Sequence, residues 1–389
     1  MEYTHSEDIR MLRQAIRDFV NKEVGPIARD IDEEERVPFE TIRKAGQLGF
    51  IGIPFSEEYG GIEAGVTGYC VLQEEINRKC ASTGTIIGAH AQLAAMSIYL
   101  SGNQQQKERY LPDLLAGEKW GAWALTEPNA GSDAAHIRTT ATLKGDKWVL
   151  NGSKMWITNG SFADVIVVFA ANDREKGARG GVTAFIVEKD FPGFKVGKVE
   201  PKMGLRASHT ASLFFEDCEV PAENVLGQVG AGFVTAMQTL DIGRCGLGAC
   251  ALGMAKEAYD MALKYSVERQ QFGRPIADFQ AIQFKLADMI TNIYAMEQMV
   301  YDCAAKVDRG EPATLESSIV KLFCTEAASR IVDEAIQIHG GMGFSRELPL
   351  ERMYRDLRVT RIFEGTNEIQ RHVIAGEILK SVGHKIKLY

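Results

Sequence analysis

The first third of the chain repeats apolar residues at helical spacing. Ile9, Leu12, Ile16 and Phe19 step by three and four, which puts them on one face of a helix. Thr4 and Glu7 at its start have the spacing of a capping box. Apolar stretches at 39–48 and 69–76 continue the helical reading, and Ser56 to Gly61 between them reads as a turn ending in a glycine pair. From about residue 121 the texture changes to short β-rich runs, at 147–150, 155–158, 164–170, 182–187 and 212–215. Asn151-Gly152 and Asn159-Gly160 separate them with hairpin chemistry, so an antiparallel barrel or sandwich is predicted. After Phe233 the period lengthens again. Phe279, Ile282, Leu286, Met289, Ile293, Met296 and Val300 form one apolar face, and similar patterns run over 240–267, 315–338 and 369–379. Four long helices with short connections predict a bundle.

Composition narrows the class without naming it. The 389 residues are 45% apolar and 25% charged, which excludes disordered, collagen-like and coiled-coil chains. At about 150 residues per domain the length suggests two or three domains. With 44 basic against 52 acidic side chains the net charge is -8, which argues against a non-specific nucleic-acid binder. The seven cysteines show no C-x-x-C spacing and fit reduced thiols. Met1-Glu2-Tyr3-Thr4 has neither the basic nor the apolar region of a secretion signal, and no stretch of about 18 uncharged apolar residues predicts a membrane span. A cytoplasmic protein is expected. The one excess is glycine, 38 of 389 residues or about 10%, where about 7% is usual.

Several segments carry candidate chemistry. Trp123 to Asp133, with Leu125, Thr126 and Ser132, is an irregular loop that can line a polar cofactor edge or serve as a surface turn. Trp156 and Thr158 share a face if they lie on a regular strand, an aromatic plate beside a hydroxyl; a core tryptophan before a hairpin is the plainer alternative. Asp241 and Arg244 are one helical turn apart, the spacing of an ordinary solvated ion pair. Arg269 near a helix end can simply complement the helix dipole, and Gln337 to Gly343 can be a helix C-cap. His339 has no partner at metal spacing, so no metal site is expected. Glu364, between Phe363 and Gly365 and just before a helix capped by Thr366 or Asn367, is poorly explained by packing. Apolar neighbours would raise its pKa and the helix N-terminus would lower it, and such a carboxylate can serve as a general base or sit exposed at a turn. Gly227, Gly230 and Gly232 follow a loop and not a strand, which disfavours a Rossmann cofactor site.

Together these segments resemble the acyl-CoA dehydrogenase flavoprotein family. The ordered set Thr126-Glu127-Pro128, Trp156 to Gly160, Glu268 to Gly273, Gln337 to Gly341 and Phe363 to Gln370 spans almost the whole chain. The resemblance implies an α+β multidomain fold: an N-terminal helical domain over 1–120, a central antiparallel β-barrel over 121–232 and a C-terminal four-helix bundle over 233–389. It implies FAD held without a Rossmann fold. Leu125, Thr126, Ser132, Trp156 and Thr158 match flavin contacts. Arg269, Phe272, Gln280, Gln337, Gly340 and Gly341 match contacts to the FAD of a neighbouring subunit, and Thr366 and Glu368 match the adenosine side. On the acyl-CoA side, Ser132, Asp241, Arg244 and Gly365 match substrate positions.

Glu364 matches the family's catalytic base. Some members carry that base on the first bundle helix, where this chain has Gly243. The implied reaction is α,β-dehydrogenation to a trans-2-enoyl-CoA. Glu364 takes the α-proton and a hydride goes to flavin N5, with the thioester carbonyl bonded by the backbone N–H of the base and a ribityl hydroxyl. The resemblance leans towards the short-chain, butyryl-CoA type, a homotetramer, and electron-transfer flavoprotein as acceptor in fatty-acid β-oxidation. Side chains around Ala91 to Met96 are expected to set chain length. An acyl-CoA oxidase, a dehydrogenase of branched, cyclic or glutaryl-type acyl-CoA, and a non-catalytic binding module are the alternatives.

Overall fold

A computed structural model describes residues 3–384. Met1 and Glu2, which entered the reading of the N-terminus, and residues 385–389 of the expected bundle lie outside the described residues. The stepped apolar residues of α1 (Glu7–Phe19) bury Ile16 and Phe19. Its cap is Ser6, whose Oγ accepts from the Ile9 N–H at 3.4 Å. The expected Thr4–Glu7 box does not form, because Ser6 is the residue directly before the first helical turn and its oxygen reaches the third amide. Helices α2 (Ala28–Glu33), α3 (Phe39–Gln47), α4 (Gly65–Lys79), α5 (Ala81–Ile87), α6 (Met96–Ser101) and α7 (Gln104–Leu115) complete the N-terminal part. Between α5 and α6 the backbone is wound as a π-helix, Gly88–Ala95, a form frequent at functional sites.

The middle region contains β1 (Gly121–Ala124), β2 (Thr140–Lys144), β3 (Lys147–Thr158), β4 (Val165–Ala171), β5 (Val182–Glu188), β6 (Phe194–Val199), β7 (Thr210–Pro221) and β8 (Val225–Leu226). They pair in the order β6-β7-β3-β2-β4-β5-β8, with β1 beside β4. The sheet is mostly antiparallel, but β1 runs parallel to β4, and β2 meets β4 in parallel at Thr140 and Ala171. A parallel pair needs a crossover, here the stretch that contains the β2–β3 hairpin.

Turn chemistry was only partly legible. The predicted runs at 147–150 and 155–158 belong to one strand, β3. Asn151-Gly152 lies inside it, where the register against β7 shifts between Leu150 and Gly152. The dipeptide is therefore a bulge and not a turn. Gly152 sits at φ +148, and a Cβ there would stand 2.6 Å from the Thr139 Cα. The two-residue hairpin turn is Gly145-Asp146, with Gly145 at φ +66. Asn159-Gly160 does turn the chain but joins no hairpin, since β3 and β4 are not neighbours.

Helix α8 (Gly232–Glu268) begins before the predicted 240 and ends in a hairpin of β9 (Gln270–Gln271) and β10 (Arg274–Pro275). Helices α9 (Gln280–Asp308), α10 (Thr314–His339), α11 (Gly341–Phe344), α12 (Leu350–Leu357) and α13 (Asn367–Ser381) follow. The four long predicted helices are α8, α9, α10 and α13. Met289, Ile293, Met296 and Val300 are the buried stripe of α9. Helix α4 packs against α8 and α9, so the bundle and the N-terminal helices share a core. Glycine makes that approach possible, because a Cβ at Gly253 would collide with the Glu74 carbonyl. All seven cysteines are free and buried. Among the described residues no helix is long and apolar enough to cross a membrane, and no cluster of His, Cys, Asp and Glu is placed to hold a metal.

Candidate active site

A cleft of about 200 Å³, open to solvent, lies where the N-terminal helices, the β region and α8 meet. Leu125, Thr126, Ser132, Trp156, Thr158, Arg244, Glu364 and Gly365 all line it, as does Gly243. Segments far apart in sequence thus converge on one space.

The Phe363–Gly365 loop sits between a 3₁₀ turn, Arg358–Arg361, and α13, whose cap is Thr366; its side chain accepts from the Ile369 N–H at 3.3 Å. Glu364 and Gly365 are both left-handed, at φ +53 and +87. Glycine adopts that conformation freely, but a glutamate held there costs on the order of 1–3 kcal/mol. The surroundings hold it. Buried Lys321 on α10 donates from Nζ to the Gly365 carbonyl and to Asn367 Oδ1, each at 2.8 Å. Gln370 Nε2 donates to the carbonyls of Glu364 and Gly365, each at 3.2 Å.

Oε2 of Glu364 is buried and has no hydrogen-bond partner among the described residues. A Cβ built on Gly243 would stand 3.0 Å from it. Burial pushes the carboxyl up to about 7, against the opposing pull of Arg244 and Lys321. The expected counterweight, the N-terminus of α13, is instead taken up by Glu368. Local backbone N–H and the Thr366 hydroxyl hold that carboxyl below the usual range.

Arg244 and Asp241 are not the solvated pair their spacing suggests. Arg244 is buried and donates from Nη1 to Asp241 Oδ1 at 2.8 Å, while Asp241 Oδ2 accepts from Thr314 Oγ1 at 2.6 Å. Asp241 does not line the cleft; it orients the arginine that does.

On the β side the Thr126–Ser132 loop is pinned by Glu127. That carboxylate accepts from the amides of Arg138 and Thr139, at 2.5 and 2.9 Å, and from Lys154 Nζ at 2.7 Å. Burial works to raise the Glu127 carboxyl, but Lys154 and these donors outweigh it and hold it below its ordinary value. Burial in turn brings the Lys154 ammonium down to about 8. Trp156 lies at a second register shift in β3 and has φ +62. Simple strand alternation therefore does not set its direction, and the irregular backbone brings both it and Thr158 to the cleft lining. Its side chain is 53% exposed at the mouth of the cleft.

Among the lining residues that the sequence did not single out are Tyr69 and Gln73 on α4, and Gln92 in the π-helix joins them from the expected 91–96 run. Both amide atoms of Gln92 are buried without partners among the described residues. Of the expected run from Ala91 to Met96, only Gln92 and Leu93 line the cleft, and Ala91, Ala94, Ala95 and Met96 are buried in packing. The π-wound backbone turns the run out of a simple helical register.

The remaining predicted residues lie elsewhere. Arg269 and Phe272 flank the β9–β10 strands, Gln280 opens α9, and Gln337, Gly340 and Gly341 mark the end of α10. The ends of α8 and α10 meet, for the rings of Tyr265 and His339 stack with centroids 4.4 Å apart. This second group is exposed and borders no part of the cleft. Thr366 and Glu368 begin α13 beside the base loop, also outside the cleft lining.

The cleft suits a flat heteroaromatic ring. An aromatic plate stands at its mouth, residues Thr126, Ser132 and Thr158 line it with their hydroxyls, and the Gln92 amide has no partner among the described residues.

Family models of the acyl-CoA dehydrogenase N-terminal, middle and C-terminal domains match residues 6–118, 122–218 and 230–379. The short-chain specific acyl-CoA dehydrogenase of Clostridium acetobutylicum is 46% identical over 380 residues, covering 98% of this chain and 100% of the relative. The solved butyryl-CoA dehydrogenase of Megasphaera elsdenii superposes with TM-score 0.95 at 42% identity, covering 97% of this chain and 100% of its own. An acyl-CoA dehydrogenase of Bacillus anthracis complexed with FAD superposes with TM-score 0.91 at 40% identity, covering 97% of this chain and 68% of its own. With all three domain models in order and near-complete coverage by these relatives, the chain belongs to the FAD-binding acyl-CoA dehydrogenase family.

Proposed function

We propose that this chain catalyses the FAD-dependent α,β-dehydrogenation of a short-chain acyl-CoA thioester to the trans-2-enoyl-CoA. The observation that carries the reading is Glu364: a cleft-lining carboxylate with one buried, unpartnered oxygen and a pKa brought up to about 7. A base is most effective when its pKa lies near the working pH. Oε2 takes the α-proton, and the small Gly243 opposite leaves space for the α-carbon. The backbone N–H of Glu364 donates to the thioester carbonyl as charge develops there, a contribution of about 3 kcal/mol for one such donor. When bound, FAD supplies the acceptor for the β-hydrogen and its electron pair. Leu125, Thr126, Ser132, Trp156 and Thr158 hold its ring. Ser132, Arg244, Gly365 and, through Arg244, Asp241 receive the acyl-CoA.

The short-chain substrate is supported by the likeness to the short-chain specific enzyme of Clostridium and the butyryl-CoA dehydrogenase of Megasphaera. The reading includes a homotetramer in which Arg269, Phe272, Gln280, Gln337, Gly340 and Gly341 reach a neighbouring copy's FAD, with Thr366 and Glu368 on the adenosine side. The exposure of Phe272 at 92% and Phe344 at 86% supports a covered surface at that end. It also includes the division at 1–120, 121–232 and 233–389, electron-transfer flavoprotein as acceptor, and a cytoplasmic location. Anaerobic addition of butyryl-CoA to the yellow holoenzyme is expected to bleach the flavin and yield crotonyl-CoA. Unchanged flavin absorbance with every acyl-CoA tried would overturn the reading, and stoichiometric peroxide release in air would replace it with an oxidase.

A further inference from the structure

The cleft follows one stripe of α8. Leu240, Gly243, Gly246, Leu247 and Cys250 line it in turn. Gly243 faces Glu364, and Gly246 lies about 4.5 Å further along the helix axis. At Gly246 the opposing group changes: a Cβ there would stand 2.5 Å from Cε1 of Tyr69. That ring comes from α4. Its Oη accepts from Gln73 Nε2 at 2.9 Å, and a Cβ on Gly88 would stand 3.4 Å from Oη. Two glycines on different elements thus leave the room that the ring fills.

Exposure runs the same way. Trp156 at the mouth is 53% exposed, whereas Tyr69 and Gln73 at the inner end are 2% and 3% exposed. An acyl chain that presents its α-carbon to Glu364 and extends along α8 meets the Tyr69 ring after a few methylene groups. Close-packed interiors accommodate extra atoms only by shifting their neighbours, and Tyr69 is backed by Gly246, Gly88 and the Gln73 amide.

We propose that Tyr69 is the chain-length stop of this enzyme, and that Gly246 and Gly88 serve it by admitting the ring. The proposal rests on the dehydrogenase reading above and names what limits its substrate. A site that rejects one methylene by packing discriminates by about 10–200-fold.

The test measures kcat/KM of holoenzyme with butyryl-, hexanoyl-, octanoyl- and decanoyl-CoA, with flavin content recorded for each variant. Tyr69→Ala is expected to raise the octanoyl-to-butyryl ratio at least about 10-fold. Tyr69→Leu is expected to give a smaller rise in the same direction. Tyr69→Phe keeps the wild-type ratio, because bulk and not the hydroxyl sets the limit. If the alanine variant loses its flavin, the leucine and phenylalanine variants decide between them. An unchanged ratio in flavin-replete Tyr69→Leu, with butyryl-CoA still bleaching the wild type, overturns the stop and leaves the dehydrogenase reading standing. A wild type bleached by no acyl-CoA overturns both.

Discussion

Glu74 and Glu364 are both drawn into the interior with two cations nearby, and they end at opposite extremes. Glu74 on α4 accepts from Arg13 Nη1 at 2.8 Å, from Lys256 Nζ at 2.8 Å, and from the Tyr301 hydroxyl. Burial would raise its carboxyl, but Lys256 and Arg13 outweigh that and hold it far below the carboxylate range. Glu364 has Arg244 and Lys321 beside it and still rises to about 7. The difference is commitment. Arg244 gives Nη1 to Asp241 and leaves its buried Nε unpartnered among the described residues, and Lys321 donates to Gly365 and Asn367; neither donates to Glu364, so their charges reach it while their N–H groups do not. A nearby cation that donates no hydrogen bond to a buried carboxylate does not cancel its desolvation, and an unmet acceptor is what separates a base from a structural ion pair.

One substitution made at both sites is the strongest way to break this contrast. Glu364→Gln is expected to slow flavin reduction by acyl-CoA by at least about 10²–10⁴-fold while the protein stays yellow. Glu74→Gln is expected to leave the reduction rate per flavin unchanged. Stopped-flow bleaching of both variants decides it, and normal bleaching of Glu364→Gln would remove Glu364 as base.

Stability should divide the pair with opposite signs. Glu74→Gln removes the charge that Arg13 and Lys256 share, while Arg13 keeps Glu75 and Lys256 keeps Glu297, and is expected to cost about 1–3 kcal/mol. The folded-state carboxyl of Glu364 lies above its ordinary value of 4.5, so the folded protein binds its proton more tightly than the unfolded chain. The stability lost to this group therefore grows as pH rises from about 4.5 to about 7, and is complete above that. Glu364→Gln is expected to regain on the order of 1 kcal/mol at pH 8 and nothing near pH 4. Thermal melts at the two pH values check both signs.

The smallest effect sharpens the role of the two cations. Activity in kcat/KM is expected to rise with pH through about 7, since the carboxylate is the active form. Removing either cation should move that limb upward, further for Arg244→Gln than for Lys321→Met, following the order of their pull. A limb that stays in place in both variants would mean that burial alone sets the pKa.

Glu364 was legible because its context is local: an aromatic, a glycine and a helix cap adjoin it in sequence. The α9 stripe was legible for the same reason, a period that needs no partner to be seen. Tyr69 was not, since a tyrosine on a buried helix carries no sign of which cavity its ring closes. Asn151-Gly152 failed differently. A glycine at positive φ suits a turn or a bulge equally, and the choice is made by pairing with β7, some sixty residues away. Lys154 and Glu127 are 27 residues apart, and only the fold reveals that one holds the other's loop in place.

The bare backbone at Gly243 has a consequence for how such enzymes can change. Oε2 of Glu364 occupies a point that a side chain from α8 could also reach, since a Cβ there would begin 3.0 Å away. The cleft defines where the proton leaves, and two unconnected stretches of chain are candidates to supply the oxygen. Gly243→Glu combined with Glu364→Gly would relocate the base without moving a helix, and glycine would then occupy the φ +53 position without strain. Flavin reduction recovered in that double variant, relative to Glu364→Gly alone, would be its signature; no recovery would show the two addresses to be unequal.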